Sequence, residues 1–192
     1  MAQTLGCVVM AAGNARRFGE NKLAAEVRGR SLIRRALEAV PPEAFGTVAV
    51  VTQYPEVLEL AEAFHFTAVE NRHPDLGISH TIRLGLEALG DCDGAMFLVS
   101  DQPLLRQESV RALAELWQSR PENIAALAHG GVRGNPCVFP ARFFPELLAL
   151  AEDHGGNTVI RRHEEDHILL EVPEQELTDV DTRAALNEIE NR

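Results

Sequence analysis

The chain has little cysteine, and what it has is badly placed for structural chemistry. Cys7, Cys92 and Cys137 are odd in number and far apart, with no CxxC pair and no neighbouring histidine cluster, which argues against a disulfide framework or a zinc site. Long apolar runs are also missing. None approaches the about 18 residues of a membrane span, and Met1-Ala2-Gln3-Thr4 lacks a basic stretch leading into an apolar one, so a soluble, cytoplasmic protein without a membrane partner is expected. Basic charge is scarce: 18 Lys and Arg stand against 29 Asp and Glu, for a net charge of −11. General nucleic-acid affinity depends on neutralising phosphates with cations, so no nucleic-acid partner is expected. The rarest charged residue is lysine, which occurs once, as Lys22, beside 17 arginines. Internal repeats, low-complexity stretches and linkers are lacking too, and residues 1–192 read as one domain, long enough to bury about two thirds of its unfolded surface.

What charge there is falls unevenly. Arg16, Arg17, Lys22, Arg28, Arg30, Arg34 and Arg35 face only Glu20 and Glu26 within the first 35 residues, a local +5 against −16 for the remainder. A basic pole on an acidic body suits a small anionic ligand. The four arginines from Arg28 to Arg35 are read as a solvated helix face; Arg16, Arg17 and Lys22 lie in a loop.

Apolar patterning alternates between strand and helix. Leu5–Met10, Thr47–Thr52, Phe66–Val69 and Ala95–Val99 read as short buried strands. Helical spacing follows Ser31, runs through Pro55–Phe64, begins again at a Ser79 cap and recurs over Glu108–Trp117. Four such alternations imply right-handed crossovers and a mostly parallel α/β sheet covered on both faces. Beyond residue 120 the pattern is less regular. Strands are expected at Ile124–Ala128 and Cys137–Phe139 around a glycine turn at Gly130-Gly131, with Gly134-Asn135-Pro136 between them, helices over Arg142–Glu152 and Thr158–Arg162, a strand at Ile168–Val172, and a last helix capped by Asp179-Val180-Asp181-Thr182.

In an open parallel sheet ligands bind beyond the carboxyl ends of the strands. After the first strand comes Ala11-Ala12-Gly13-Asn14-Ala15-Arg16-Arg17-Phe18-Gly19-Glu20-Asn21-Lys22. Small residues let backbone N–H groups approach an anion, and Arg16, Arg17 and Lys22 bring charge to match a triphosphate. The loop is neither GxGxxG nor GxxxxGK[ST]. Two readings stay open on these residues alone, an anion grip and an ordinary charged turn, and the solitary lysine weighs for the first. At the fourth strand's end, Pro103 restricts Gln102 to extended geometry, and Asp101 is placed to hold Mg²⁺. Mg²⁺ takes one or two carboxylates together with substrate phosphate oxygens, which makes Asp181 the second candidate. Asp181 is equally a candidate helix cap.

These segments together resemble one family. Ala11-Ala12-Gly13, Arg17, Phe18-Gly19 and Lys22 are similar to the LAAGxSxRFGxxK signature of the MobA-like nucleotidyltransferases. Asp101-Gln102-Pro103 resembles their DxP motif, Gly134-Asn135-Pro136 their GxP turn, Asp179-Val180-Asp181-Thr182 their DxDTP segment, and Pro74, Gly77 and Ser79, after Asn71, their segment near the nucleotide and acceptor. Ala15, Gln102 and Arg183 depart from the frequent Ser, Met and Pro. The resemblance implies a three-layer Rossmann-like, glycosyltransferase-A-like fold, and it is strongest to the molybdenum cofactor cytidylyltransferase branch. It implies catalytic roles for Arg17, Lys22 and Asp101, and nucleotide contacts from Ala11, Ala12, Gly13, Arg16, Arg17, Lys22, Asn71 and Ser79. Gly134, Asn135 and Pro136 would contact the acceptor, and Asp101 and Asp181 would hold Mg²⁺. Ala12, where guanylyl-transferring relatives carry Gly, favours CTP over a purine nucleotide. The implied partners are CTP, a molybdopterin-type cofactor and a molybdenum hydroxylase apoprotein that receives it. A pterin needs a roomy, partly basic pocket, for which Arg133, Arg161 and Arg162 are candidates and for which surface charge is the alternative.

Overall fold

The structure is a computed structural model that describes residues 3–13 and 21–191. In chain order it forms β1 (Leu5–Ala11), a short hairpin of β2 (Glu26–Val27) and β3 (Arg30–Ser31), α1 (Leu32–Glu38), β4 (Thr47–Thr52), α2 (Pro55–Ala63), β5 (Thr67–Glu70), α3 (Ile78–Leu89), β6 (Gly94–Val99) and α4 (Gln107–Ser119). There follow β7 (Ile124–His129), β8 (Val132–Pro140), α5 (Phe144–Leu148), α6 (Gly156–Arg162), β9 (His167–Glu171) and α7 (Arg183–Glu190). The large sheet has seven strands in the order β5-β4-β1-β6-β8-β7-β9. β1 pairs in parallel with both β4 and β6, β4 with β5 and β7 with β9, and only β8 runs against its neighbours. The expected mostly parallel, two-faced α/β architecture is the one found.

The strands read as continuous apolar runs because both faces are covered. Leu5, Cys7 and Val9 of β1, Val48 and Val50 of β4 and Met96 and Leu98 of β6 pack with α1, α2 and α4. Their alternate neighbours, Val8, Ala49, Val51, Ala95 and Phe97, pack with α3, α5 and α6. Val27 and Leu32 form a separate small cluster with Val180 and Ile189, which seats α7 beside the hairpin. Cys7 and Cys137 are buried, Cys92 is half-buried, and all three are free thiols. Among the described residues no helix is long and apolar enough to cross a membrane.

Four local expectations change. Ser79 does not cap α3: the cap is Gly77, whose φ of +80° turns the chain, and the Ser79 N–H goes instead to the Glu152 carbonyl at 3.1 Å. Gly134-Asn135-Pro136 is not a turn between strands but part of β8. It falls at a register shift against β7, where a proline costs no ladder hydrogen bond, and the reversal is made, as expected, by Gly130 and Gly131, at φ +57° and +76°. The helix expected over Arg142–Glu152 stops at Leu148, and the chain continues as a loop with Glu152 at φ +54°. Arg28 and Arg30 lie in the β2–β3 hairpin rather than on a helix face, and the half-buried Arg35 donates through Nη2 to the Val27 carbonyl at 2.7 Å.

Gly85 brings α3 close to β1. A Cβ there would lie 2.5 Å from Val8 Cγ1, inside contact distance. Gly85→Ala is therefore expected to lower stability by about 1–3 kcal/mol, read as a fall in the urea midpoint. In the double variant with Val8→Ala the two losses should sum to less than the separate values, because the alanine makes room; strict additivity would contradict this contact.

Candidate nucleotide and metal site

The carboxyl ends of β1 and β6 open into a cleft of about 440 Å³, lined by Ala12, Gly13, Lys22, Ser100 and Asp101 among others. The start of the loop after β1 is fastened to the end of β4. Thr52 Oγ1 donates to the Ala11 carbonyl at 2.9 Å, Gln53 Nε2 to Ala12 O at 2.8 Å and Tyr54 Oη to Gly13 O at 3.1 Å. In a trans peptide the N–H points opposite the carbonyl, so these bonds turn the Ala12 and Gly13 N–H groups away from β4. Arg16 and Arg17 lie outside the described residues.

The loop re-enters at Asn21, whose Oδ1 accepts from Leu23 N at 3.1 Å and caps a single 3₁₀ turn, Lys22–Ala24. Leu23 is buried in the core and anchors the turn. Lys22 consequently points into the cleft, where its Nζ donates to Asp101 Oδ2 at 2.9 Å and to Asp181 Oδ1 at 3.0 Å. The lysine side chain is 13% exposed, Asp101 25% and Asp181 62%, so Asp101 is the firmer of the two partners. Burial works against the charge on Lys22, but the Asp101 charge and hydrogen bond, with those of Asp181, outweigh it and hold the ammonium above the ordinary lysine value. A pKa raised by folding stabilises the folded state below the unfolded lysine pKa, and that contribution is lost as pH rises through the folded value.

Asp181 reaches Lys22 because its segment is tied over β6. Val180 is fully buried, and its N–H donates to the Asp101 carbonyl at 2.8 Å. Gln102 Nε2 donates to Asp179 Oδ1 at 3.0 Å, and Glu176 Oε2 accepts from the Arg106 N–H at the head of α4 at 3.1 Å. Burial, then the charge of Asp101, raise the Asp179 pKa against the pull of Gln102. The cap of α7 is Thr182, whose Oγ1 accepts from Ala185 N at 3.2 Å; of the two roles open to Asp181, capping is therefore taken by its neighbour.

Other candidates sit apart from this group. Asn71 is buried, accepting from His73 N at 2.9 Å and donating to Thr81 Oγ1 at 3.3 Å, so it shapes the loop before α3 from behind the cleft wall. Ser79 is buried as well. Gly134 and Asn135 line a second cavity of about 300 Å³, with Arg133, Phe97, Phe139 and Asn157. This cavity shares Met10, Ile78 and Val99 with the first, so the two adjoin. The Asn135–Pro136 bond is cis. Arg133 is hydrogen-bonded to Asn157, whereas Arg161 is exposed and Arg162 pairs with Glu146 at 3.5 Å.

Sequence reasoning passed over Thr52, Gln53, Tyr54, Ser100, Glu176 and Asp153. Their signals are weak, since a hydroxyl or amide at a strand end is common; only Gln102 stood out, as a departure from the family's Met. Asp101 and Asp181 are hard oxygen donors already gathered round one cationic nitrogen, a set that fits a hard divalent cation. No group of three or more His, Cys, Asp or Glu side chains suited to a metal occurs among the described residues, so ligand oxygens would have to complete its coordination.

The raised Lys22 pKa leaves little neutral amine near pH 9. Amine acylation, followed by peptide mass mapping, is expected to modify Lys22 more slowly than a free lysine at that pH, and several-fold faster in Asp101→Asn; equal rates in the two proteins would contradict the pairing.

Comparison with known proteins gives the chain its family. The family model described as the MobA-like NTP transferase domain matches residues 7–167. The purine catabolism protein PucB of Bacillus subtilis (strain 168) is 27% identical over 189 residues, covering 91% of this chain and 90% of that protein. Rv0371c of Mycobacterium tuberculosis H37Rv superposes with a TM-score of 0.83 at 19% identity over all of both chains, and a structure of Rv0371c in complex with manganese gives 0.72 at 17% identity, again over all of both chains. Molybdopterin-guanine dinucleotide biosynthesis protein A from Archaeoglobus fulgidus gives 0.70 at 17%, over 97% of each chain. At such identities the solved structures speak for the fold, while the family model spans every strand from β1 to β8 and reaches the start of β9. The chain belongs to the MobA-like NTP transferase family and is a nucleotidyltransferase.

Proposed function

We propose that the protein transfers CMP from CTP to a molybdopterin-type molybdenum cofactor in the cytoplasm, releasing pyrophosphate, and that residues 1–192 act as one transferase domain. The observation that carries the reading is the meeting of Lys22, Asp101 and Asp181 at the mouth of a cleft that adjoins a second, partly basic cavity. The pterin finds in that second cavity the Phe97 and Phe139 rings, with Arg133 as the basic group, beside Gly134 and Asn135, and Pro136 follows them in β8. The cytidine assignment rests on Ala12, whose methyl group crowds a purine more than a pyrimidine. A molybdenum hydroxylase apoprotein would be the recipient of the product.

In this reading an oxygen of the acceptor's terminal phosphate attacks the α-phosphorus of CTP in line. A new P–O bond forms, the bond from the α-phosphorus to the β-phosphate oxygen breaks, and its electron pair leaves on pyrophosphate. Such a transfer needs positioning and charge neutralisation more than covalent help. Arg17 and Lys22 hold the β- and γ-phosphates, Arg16 adds a nucleotide contact, the N–H groups of Ala12 and Gly13 face the nucleotide, and Asn71 and Ser79 brace the loop beside it. Asp101 and Asp181 would hold Mg²⁺, which when bound supplies charge neutralisation at the phosphate oxygens.

The purified protein with Mg²⁺, CTP and molybdenum-loaded molybdopterin is expected to form the cytidine dinucleotide and pyrophosphate, both measurable by chromatography. Asp101→Asn should lower kcat/KM by about 10²–10³-fold, the scale of losing one electrostatic contact to the reacting phosphates. Turnover with GTP alone would overturn the base assignment, and CTP binding without turnover would make the protein a non-catalytic nucleotide-binding module.

A further inference from the structure

The contact between Lys22 and its two acidic partners carries a consequence for how ligands enter. One nitrogen holds carboxylates from loops 79 and 159 residues away in sequence, at 2.9 and 3.0 Å. The two carboxylate oxygens therefore lie no farther apart than those distances added together, and Asp179, hydrogen-bonded to Gln102, stands beside them. Gathered acidic groups of this kind repel one another unless a cation stands between them. Among the described residues lining the cleft, Lys22 is the only cationic side chain, and it is mostly withdrawn from solvent.

We propose that Lys22 is the resident counter-cation of the Asp101–Asp181 pair, and that a divalent cation replaces it only when an incoming polyphosphate takes over the ammonium. This rests on the nucleotidyltransferase reading of the site. A metal ion arriving alone would have to displace the ammonium and leave it partly buried without a partner, at a cost that opposes binding. A triphosphate gives the displaced ammonium new oxygens, so metal and nucleotide favour each other's binding, and by thermodynamic linkage the coupling is reciprocal. Lysine suits this exchange better than arginine, because a compact ammonium on a flexible stem can turn from carboxylate to phosphate without a fixed planar fork to realign. The one position in the chain where lysine is used is the one that needs such a turn.

The test uses the full chain and Mn²⁺ alone, with free Mn²⁺ read by electron paramagnetic resonance and no nucleotide present. Wild-type protein is expected to bind Mn²⁺ weakly and Lys22→Met about tenfold more tightly, within the usual range of coupling between sites. Adding Asp101→Asn to Lys22→Met should abolish the gain. Lys22→Gln, measured in parallel with the urea midpoint of each variant, guards against a loss of folding. Equal Mn²⁺ affinity in wild type and both Lys22 variants would overturn the proposal, as would a gain that survives Asp101→Asn. If the gain appears while no nucleoside triphosphate binds, the counter-cation role stands and the transferase reading falls.

Discussion

The site depends on one ammonium. Lys22 sits between Asp101 and Asp181, and each of the three comes from a different part of the chain: the loop after β1, the end of β6 and the segment before α7. Each is held by packing or by hydrogen bonds of neighbouring residues rather than by the ion pairs themselves. Leu23 buries the turn behind Lys22, the Val180 N–H fastens its segment to the Asp101 carbonyl, and Gln102 reaches from the residue next to Asp101 to Asp179. Ion pairs at the mouth of a cleft, the outer one with its carboxylate 62% exposed, contribute modestly to stability. Their consequence is chemical, because they hold hard donors and one mobile cation at the place where a parallel sheet presents its ligands.

The sheet makes that placement possible. Strict alternation in β1, β4 and β6 sends successive side chains to opposite helical layers, so the strands stack in register and their carboxyl ends share one rim. Gly85 lets α3 lie close against Val8, and the loop carrying Glu152 and Asp153 packs against Gly77 at the head of the same helix. One helix thus borders both cavities, with Ile78 facing each of them.

Most of the fold was legible because two-faced burial leaves a plain signature, short β-branched runs divided by helical spacing. Thr47–Thr52 and the strand at Ile124–Ala128 needed nothing else. The β2–β3 hairpin was not legible, since two-residue strands show no period and its turn rests on Arg28 at φ +50° and Gly29 at +75°. The resemblance made Gly134-Asn135-Pro136 a turn, and only the register shift explains how β8 passes through Pro136. In the site, Lys22, Asp101 and Asp181 were visible as separate residues. The resemblance joined Asp101 with Asp181, but the direct pairing of both with Lys22 was not legible, because the ties that bring Asp181 over β6 are a backbone N–H at Val180 and the side chains of Gln102 and Glu176, of which only Gln102 stood out.

A lysine that occurs once can be observed alone. Protein labelled with ¹⁵N at lysine Nζ gives a single side-chain ammonium signal, and its pH titration reads the environment of Lys22 directly. The account predicts a midpoint above that of free lysine, falling toward it in Asp101→Asn and, by less, in the more exposed Asp181→Asn. A midpoint at or below the free value, unmoved by either substitution, would contradict it.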